Sequence, residues 1–319
     1  MSFDYLLNRI AEATFESVPF RHIYIKDFFE GGHFSQIVSA PEILLPSVES
    51  DEQIFKILFE RNYKIISFPG CITNKDVYIK WHKERKVNSD HTNSSCEGFG
   101  VTLRLTKPTS SIITDLFDFM LTDKFQDALA AKFGIRRDEV FYDSGIQKYL
   151  DGYEISPHPD IRSKALTYMI NINPGNNSEN RDHHTHYLRF REEYKYIQAY
   201  WDGHPDEDRF WVPWSWCESI KTQRENNSIV IFSPDNTTMH AVRARYSHLA
   251  SQRTQLYGNL WYRDKKCATQ PSWEDFTFGT RKSMSMRASV KAAVPVGIKK
   301  FIKKNMLSNK NVIADRLQK

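Results

Sequence analysis

The apolar positions change period part-way along the chain. Leu6, Leu7, Ile10 and Ala11 recur at helical spacing, which predicts a short helix within residues 1–18, stopped by Pro19. His22–Lys26 reads as a strand ending at Asp27, and residues 34–60 as helix in two pieces split by Pro41 and Pro46. Tyr63–Pro69 is a short apolar run with strand character. Residues 74–98, rich in Lys, Asn and Ser, read as a loop or mobile segment. Ile112, Leu116, Phe119, Met120, Leu129 and Phe133 share one side of a predicted helix over Ser111–Phe133, which Gly134 is placed to end.

From about residue 139 the period is two. Val140–Tyr149, Tyr153–Asp160, Ala165–Ile172, Tyr187–Phe190, Ser228–Ser233 and Gln255–Tyr262 read as strands, with turns at Asp151-Gly152 and Asn173-Pro174-Gly175-Asn176. Helices first and many short strands afterwards predict an α+β fold built on a sandwich or open-ended barrel. The expected division is a body over residues 1–265, with helical and strand support in 1–138 and the strand core in 139–265, followed by a tail over 266–319.

Composition bounds this picture without changing it. The 319 residues include 21 Phe, 15 Tyr and 7 Trp, a globular makeup. No run of about 18 apolar residues occurs, so no spanning helix is expected. The first residues lack the basic and apolar segments of a secretory signal. Cys71, Cys96, Cys217 and Cys267 form no CxxC pair and read as reduced thiols, which predicts a cytoplasmic protein and leaves the sequon at Asn236 without meaning.

Charge does change the picture. Residues 281–319 hold eleven Lys/Arg and one acid, a charge of +10 that leaves the rest of the chain at −5 out of the net +5. Within 294–307, Ile298, Phe301, Ile302 and Met306 share one helical face beside Lys299, Lys300, Lys303 and Lys304. A basic amphipathic helix of this kind suits peripheral contact with an anionic membrane. Docking on the acidic body, or a disordered tail, would use the same residues. No motif points to nucleic acid.

His158-Pro159-Asp160 carries the candidate chemistry. Strand residues i and i+2 face one side, so an imidazole and a carboxylate can reach one metal. A lone HxD triplet arises often by chance. Here a second histidine follows: the apolar strand Ser228–Ser233 leads through a polar turn to His240. Two His and one carboxylate suit non-haem Fe(II), leaving three positions open. Zinc would accept the same donors but would leave Arg253 unexplained. Arg253 opens the strand Arg253–Tyr262, on the alternating set that continues with Gln255, Tyr257, Asn259 and Trp261. An inward Arg is costly unless it meets an anion, and its planar fork matches a carboxylate; a surface ion pair is its more usual fate.

Together these features resemble the Fe(II)/2-oxoglutarate-dependent oxygenase superfamily, in particular its prolyl 4-hydroxylase-like branch. The resemblance spans roughly residues 140–262: Gln147–Asp160 looks like the first ligand strand, Ser228–Val242 like the distal-histidine region, and Arg253–Tyr262 like the cosubstrate strand. It implies a double-stranded β-helix (jelly roll) flanked by helices. It also implies Fe(II) on His158, Asp160 and His240, and 2-oxoglutarate held by Arg253 with Tyr149 and Gln255 beside it. The implied reaction is O2-dependent hydroxylation of a C–H bond, with 2-oxoglutarate going to succinate and CO2. Gln255 stands where some small-molecule members carry Ser, and Asn259 where nucleic-acid demethylases carry a second Arg. Asp160 is the residue that halogenating members lack.

The substrate stays open among a small molecule, a sugar or lipid-linked intermediate, and a protein side chain. A non-catalytic metal-binding jelly roll tethered to a membrane is the alternative from another class. Tyr153 and Tyr168 are further candidates beside the cosubstrate, or core tyrosines. His183, His184 and His186 read as solvent-exposed after a polar turn. Trp201, Trp211, Trp214 and Trp216 read equally as a substrate lid or as the packing of an insertion.

Overall fold

Helices dominate the first half of the chain and strands the second in the computed structural model, which describes residues 2–67, 71–84, 100–175 and 177–264. The order is α1 (Tyr5–Glu12), β1 (Phe15–Glu16), β2 (His22–Ile25), α2 (Gly31–Ser39), α3 (Asp51–Glu60), β3 (Tyr63–Ile65), α4 (Lys75–Glu84), β4 (Thr102–Leu105), α5 (Ser111–Met120) and α6 (Asp123–Phe133). Then follow β5 (Val140–Tyr149), β6 (Glu154–His158), β7 (Lys164–Asn171), β8 (Thr185–Phe190), α7 (Tyr196–Gly203), β9 (Cys217–Gln223), β10 (Ile229–Phe232), β11 (His240–Arg243) and β12 (Arg253–Tyr262). The result is α+β with two antiparallel sheets, in the orders β1-β2-β10-β7-β12-β5-β4-β3 and β6-β11-β8-β9, consistent with a double-stranded β-helix.

The large sheet has two unlike faces, as strand alternation requires. Ile146, Leu256, Leu260, Ile170 and Tyr168 point to the helices and join the main core with Leu6, Ile54, Phe55, Leu116 and Leu129. Each such side chain, fully buried, contributes about 1.5–3 kcal/mol. Gly258 lets this layer close: a Cβ there would lie 2.3 Å from the Tyr168 ring. The Tyr168 hydroxyl meets that of Tyr142 at 2.5 Å, so Tyr168 is a core residue and does not face the candidate site. The opposite face carries Gln147, Tyr149, Thr167, Arg253, Gln255 and Asn259 and lines a cavity between the sheets.

Several expectations are corrected. The segment Ser111–Phe133 is two helices, because Thr122 takes an extended backbone and its hydroxyl accepts from the Phe125 N–H to start α6. Gly134, with φ 67°, ends it. Lys75–Glu84 is helix rather than loop: Asn74 accepts from the N–H groups of Asp76 and Val77, and Tyr78 and Ile79 are buried. Strands β4 and β9 carry mixed side chains that hide their period. The tail, Cys96 and Cys267 lie outside the described residues. Among the described residues, no helix is long and apolar enough to cross a membrane.

Candidate functional site

His158 ends β6 and His240 begins β11, and the two face each other across the antiparallel ladder. Their ring centroids are 4.4 Å apart. Each ring is fixed in the same way: Nδ1–H donates to the carbonyl two residues upstream, Ser156 at 2.7 Å for His158 and Thr238 at 3.0 Å for His240. That contact sets the tautomer and leaves each Nε2 lone pair free for a metal. Asp160 completes the group, with one donor atom from each residue lying within 4.8 Å of the others.

Electrostatics put all three in ligating form. Burial lowers the His158 imidazolium to about 3, with His240 adding to the effect, and burial likewise lowers His240. Burial alone would raise the Asp160 carboxyl, but Lys164 and the two imidazoles outweigh it and hold it below the ordinary carboxylate range. Two neutral imidazoles and one carboxylate fit a divalent cation.

Three residues around Asp160 escaped the sequence reading. Lys164 Nζ donates to Oδ1 at 2.7 Å and Thr167 Oγ1 to Oδ2 at 2.6 Å. Arg209 Nη1 donates to the Asp160 main-chain carbonyl at 2.6 Å, and its Nε to Asn236 Oδ1 at 2.7 Å. Arg209 thus ties the turn after His158 to the loop before His240. Lys164 follows Asp160 by four residues and was in reach of a charge-spacing argument; nothing local marks Arg209.

The other end of the cavity is made by Arg253, only 1 % exposed. Its Nη2 donates to Thr185 Oγ1 at 3.0 Å, its guanidinium lies 4.4 Å from the Tyr149 ring centre, and Nη1 is buried with no hydrogen-bond partner. No carboxylate pairs with it among the described residues. A charged donor buried and unmatched is costly, and an incoming carboxylate would satisfy it. Tyr149 donates its hydroxyl to Gln147 at 2.5 Å. Gln255 Nε2 lies 3.3 Å from Asn171 Oδ1 and 3.4 Å from Thr185 Oγ1, on the same wall. The metal group and Arg253 line one cavity of about 250 Å³, with Tyr149, Tyr153 and Gln255 between them.

His183 and His184 are buried, not exposed. Asp182 bridges Arg245, which draws the segment beneath the connection between β11 and β12, and His183 packs edge-on to Tyr246. Trp201 sits in a core with Leu188, Phe190 and Phe210; Trp214 Nε1 donates to Glu154 at 2.8 Å; Trp216 stacks on Tyr194. These three pack an insertion. Trp211 lines the cavity, its ring centre 5.8 Å from that of His158.

The chain is similar in structure to Fe(II)/2-oxoglutarate oxygenases, prolyl 4-hydroxylases among them, at low sequence identity. A Pseudomonas putida prolyl-4-hydroxylase aligns with 82% of this chain and 100% of its own, at 8% identity and a TM-score of 0.39. A Trichoplax adhaerens prolyl hydroxylase, solved with a hypoxia inducible factor peptide, aligns with 81% of this chain and 87% of its own at 10% identity and a TM-score of 0.41. HygX from Streptomyces hygroscopicus, solved with nickel, 2-oxoglutarate and hygromycin B, covers 87% and 100% at 8% identity and a TM-score of 0.36. No family model and no curated protein matches the sequence. Likenesses of this size carry no functional weight; the geometry of the cavity does.

Proposed function

We propose that the protein is an Fe(II)- and 2-oxoglutarate-dependent dioxygenase of jelly-roll fold that hydroxylates a small molecule. One observation carries this: a buried two-His, one-Asp group shares a cavity with an arginine whose guanidinium is buried and unmatched by any acid among the described residues. Zinc hydrolysis would use the first feature and leave the second idle.

His158, Asp160 and His240 would hold the iron, and Arg253 the distal carboxylate of 2-oxoglutarate. When bound, the iron and cosubstrate supply the oxidising chemistry, in which O2 is consumed and 2-oxoglutarate becomes succinate and CO2. The chain's own work is positioning. The carbonyls of Ser156 and Thr238 hold the imidazoles in one tautomer. Thr167 and Lys164 hold the Asp160 carboxylate ionised and oriented, and Arg209 holds its backbone. Trp211 and Trp261 line the cavity and give it apolar wall, while Asp143 and Asn259 offer polar contacts to a substrate. A space of about 250 Å³ that also admits the cosubstrate suits a small substrate better than a folded protein surface.

Protein loaded anaerobically with Fe(II) and then given 2-oxoglutarate and O2 should release succinate against members of a small-molecule screen, and Asp160→Ala should reduce release to background. Calorimetry supplies the independent arm. If iron-loaded protein neither binds 2-oxoglutarate nor forms succinate, the proposal fails.

A further inference from the structure

We propose that Asp51, His82 and His248 form a second divalent-cation site that supports the fold, with Asp151 as the outer carboxylate that orients His82. The residues come from places far apart in the chain: the first turn of α3, the last turn of α4, the turn between β5 and β6, and the connection between β11 and β12. Asp51, Asp151 and His248 are buried, and His82 is 22% exposed. One donor atom from each of Asp51, His82 and His248 lies within 4.8 Å of the others.

The contacts are directional. His82 Nδ1 lies 2.7 Å from Asp51 Oδ2, and His248 Nε2 lies 2.9 Å from Asp51 Oδ1. On its far side, His82 Nε2 meets Asp151 Oδ2 at 3.1 Å. A carboxylate behind an imidazole fixes its tautomer and turns the other nitrogen toward a metal, which is the usual arrangement behind metal-bound histidine. Asp51 and Asp151 are two buried carboxylates that demand positive charge between them. A proton on His82 is the competing supply: burial opposes it, but Asp151 and Asp51 outweigh burial and raise the imidazolium to about 9. Zinc provides the same charge and also ligates the chain at three points.

None of the three residues lines the catalytic cavity. Three protein ligands leave the fourth position to water; away from the cavity, the group would hold the fold together rather than act on a substrate. What it would hold is the wall behind Arg253. Asp151 Oδ1 accepts from the Tyr246 N–H at 3.1 Å; the Tyr246 hydroxyl accepts from the Arg253 N–H at 2.8 Å and donates to the Tyr149 carbonyl.

The test counts zinc in the full chain. Chelator-treated protein is titrated with Zn(II), and bound metal per chain and Tm are recorded. Because the first triad would also accept zinc, the decisive background is Asp160→Asn with His240→Ala. That chain should bind one zinc and gain Tm on doing so, whereas wild type should bind two. Adding Asp51→Asn should remove the remaining zinc, and adding Asp151→Asn should weaken it by about 10–100-fold. No zinc on the triad-less chain, with circular dichroism like wild type, would overturn the proposal. So would zinc binding that Asp51→Asn and His248→Gln leave unchanged. If the triad-less chain does not fold, the wild-type count decides, and one zinc rejects the site. If Asp51→Asn does not fold, an unchanged zinc affinity in Asp151→Asn rejects it.

Discussion

Lys148 and Arg253 sit back to back on neighbouring strands, and both are sealed from water. Lys148, on β5, pairs with Thr254 of β12, one residue along from the pairing of Arg253 with Tyr149. Lys148 is 0% exposed and Arg253 1%. Lys148 faces the helices, where its Nζ donates to the Ile43 carbonyl and Thr254 Oγ1, each at 2.8 Å. Burial lowers that amine to about 7. Arg253 faces the cavity, and although burial lowers its value too, a guanidinium keeps its proton at any working pH. Above pH 7 an amine sealed in the core becomes a neutral donor for neutral acceptors. A guanidinium sealed in the cavity stays a cation waiting for an anion. Residue type, not depth, decides which of the two keeps its charge.

The largest expected effect breaks the comparison at Arg253. Arg253→Ala should cost about 2–5 kcal/mol of 2-oxoglutarate binding, roughly 30- to several-thousand-fold in Kd, with metal binding unchanged. Calorimetry on metal-loaded protein checks this; an unaltered Kd would show that the arginine anchors nothing.

Arg253→Lys sharpens it. An amine placed there should lose its proton as Lys148 does, so 2-oxoglutarate should bind at pH 6 and weaken as pH rises through 7 and above, by up to about tenfold per unit. A pH-independent Kd in this variant would mean that burial at this face does not discharge an amine.

Lys148 yields the smallest effect. Its folded value of about 7 lies below the ordinary 10.5, so between those limits the unfolded chain carries more protons than the folded one. Stability should therefore rise with pH across that window, by up to about 1.4 kcal/mol per unit, and the gain is lost as pH falls to 7. Lys148→Met removes the titration and leaves Ile43 and Thr254 without their donor, a cost of about 1–3 kcal/mol at pH 9. Urea unfolding at pH 7, 8 and 9 should show the gap between wild type and variant closing as pH falls. A constant gap would mean that Lys148 titrates like a surface lysine.

His158, Asp160, His240 and Arg253 could be picked out as candidates because an HxD triplet closes one strand, a histidine follows the turn after the apolar strand Ile229–Phe232, and an arginine opens the strand Arg253–Tyr262. The core strands β5, β7, β10 and β12 were legible from their short apolar or alternating runs. What stayed hidden depends on partners remote in the chain. Thr122 breaks a helix whose apolar stripe continues across it. His82 and Tyr78 make Lys75–Glu84 a docked helix, yet its composition reads as loop. His183 looks exposed until Arg245 pairs with Asp182. Arg209 has no local mark at all: its role exists only once the turn at Asp160 and the loop at Asn236 have met.

The pairing of His158 with His240 on one rung of the ladder has a consequence for how such a site can change over time. The distance between the two candidate ligand rings is set by backbone hydrogen bonds, not by the length of chain that separates them. That intervening chain includes the insertion that swings Trp211 against His158. Residues can be added to or removed from its loops without shifting either imidazole, whereas a one-residue slip in β11 would turn His240 to the wrong face. Under the proposed function the iron end would be a fixed socket with an exchangeable collar around it, so new substrates could be admitted while the chemistry stays where it is.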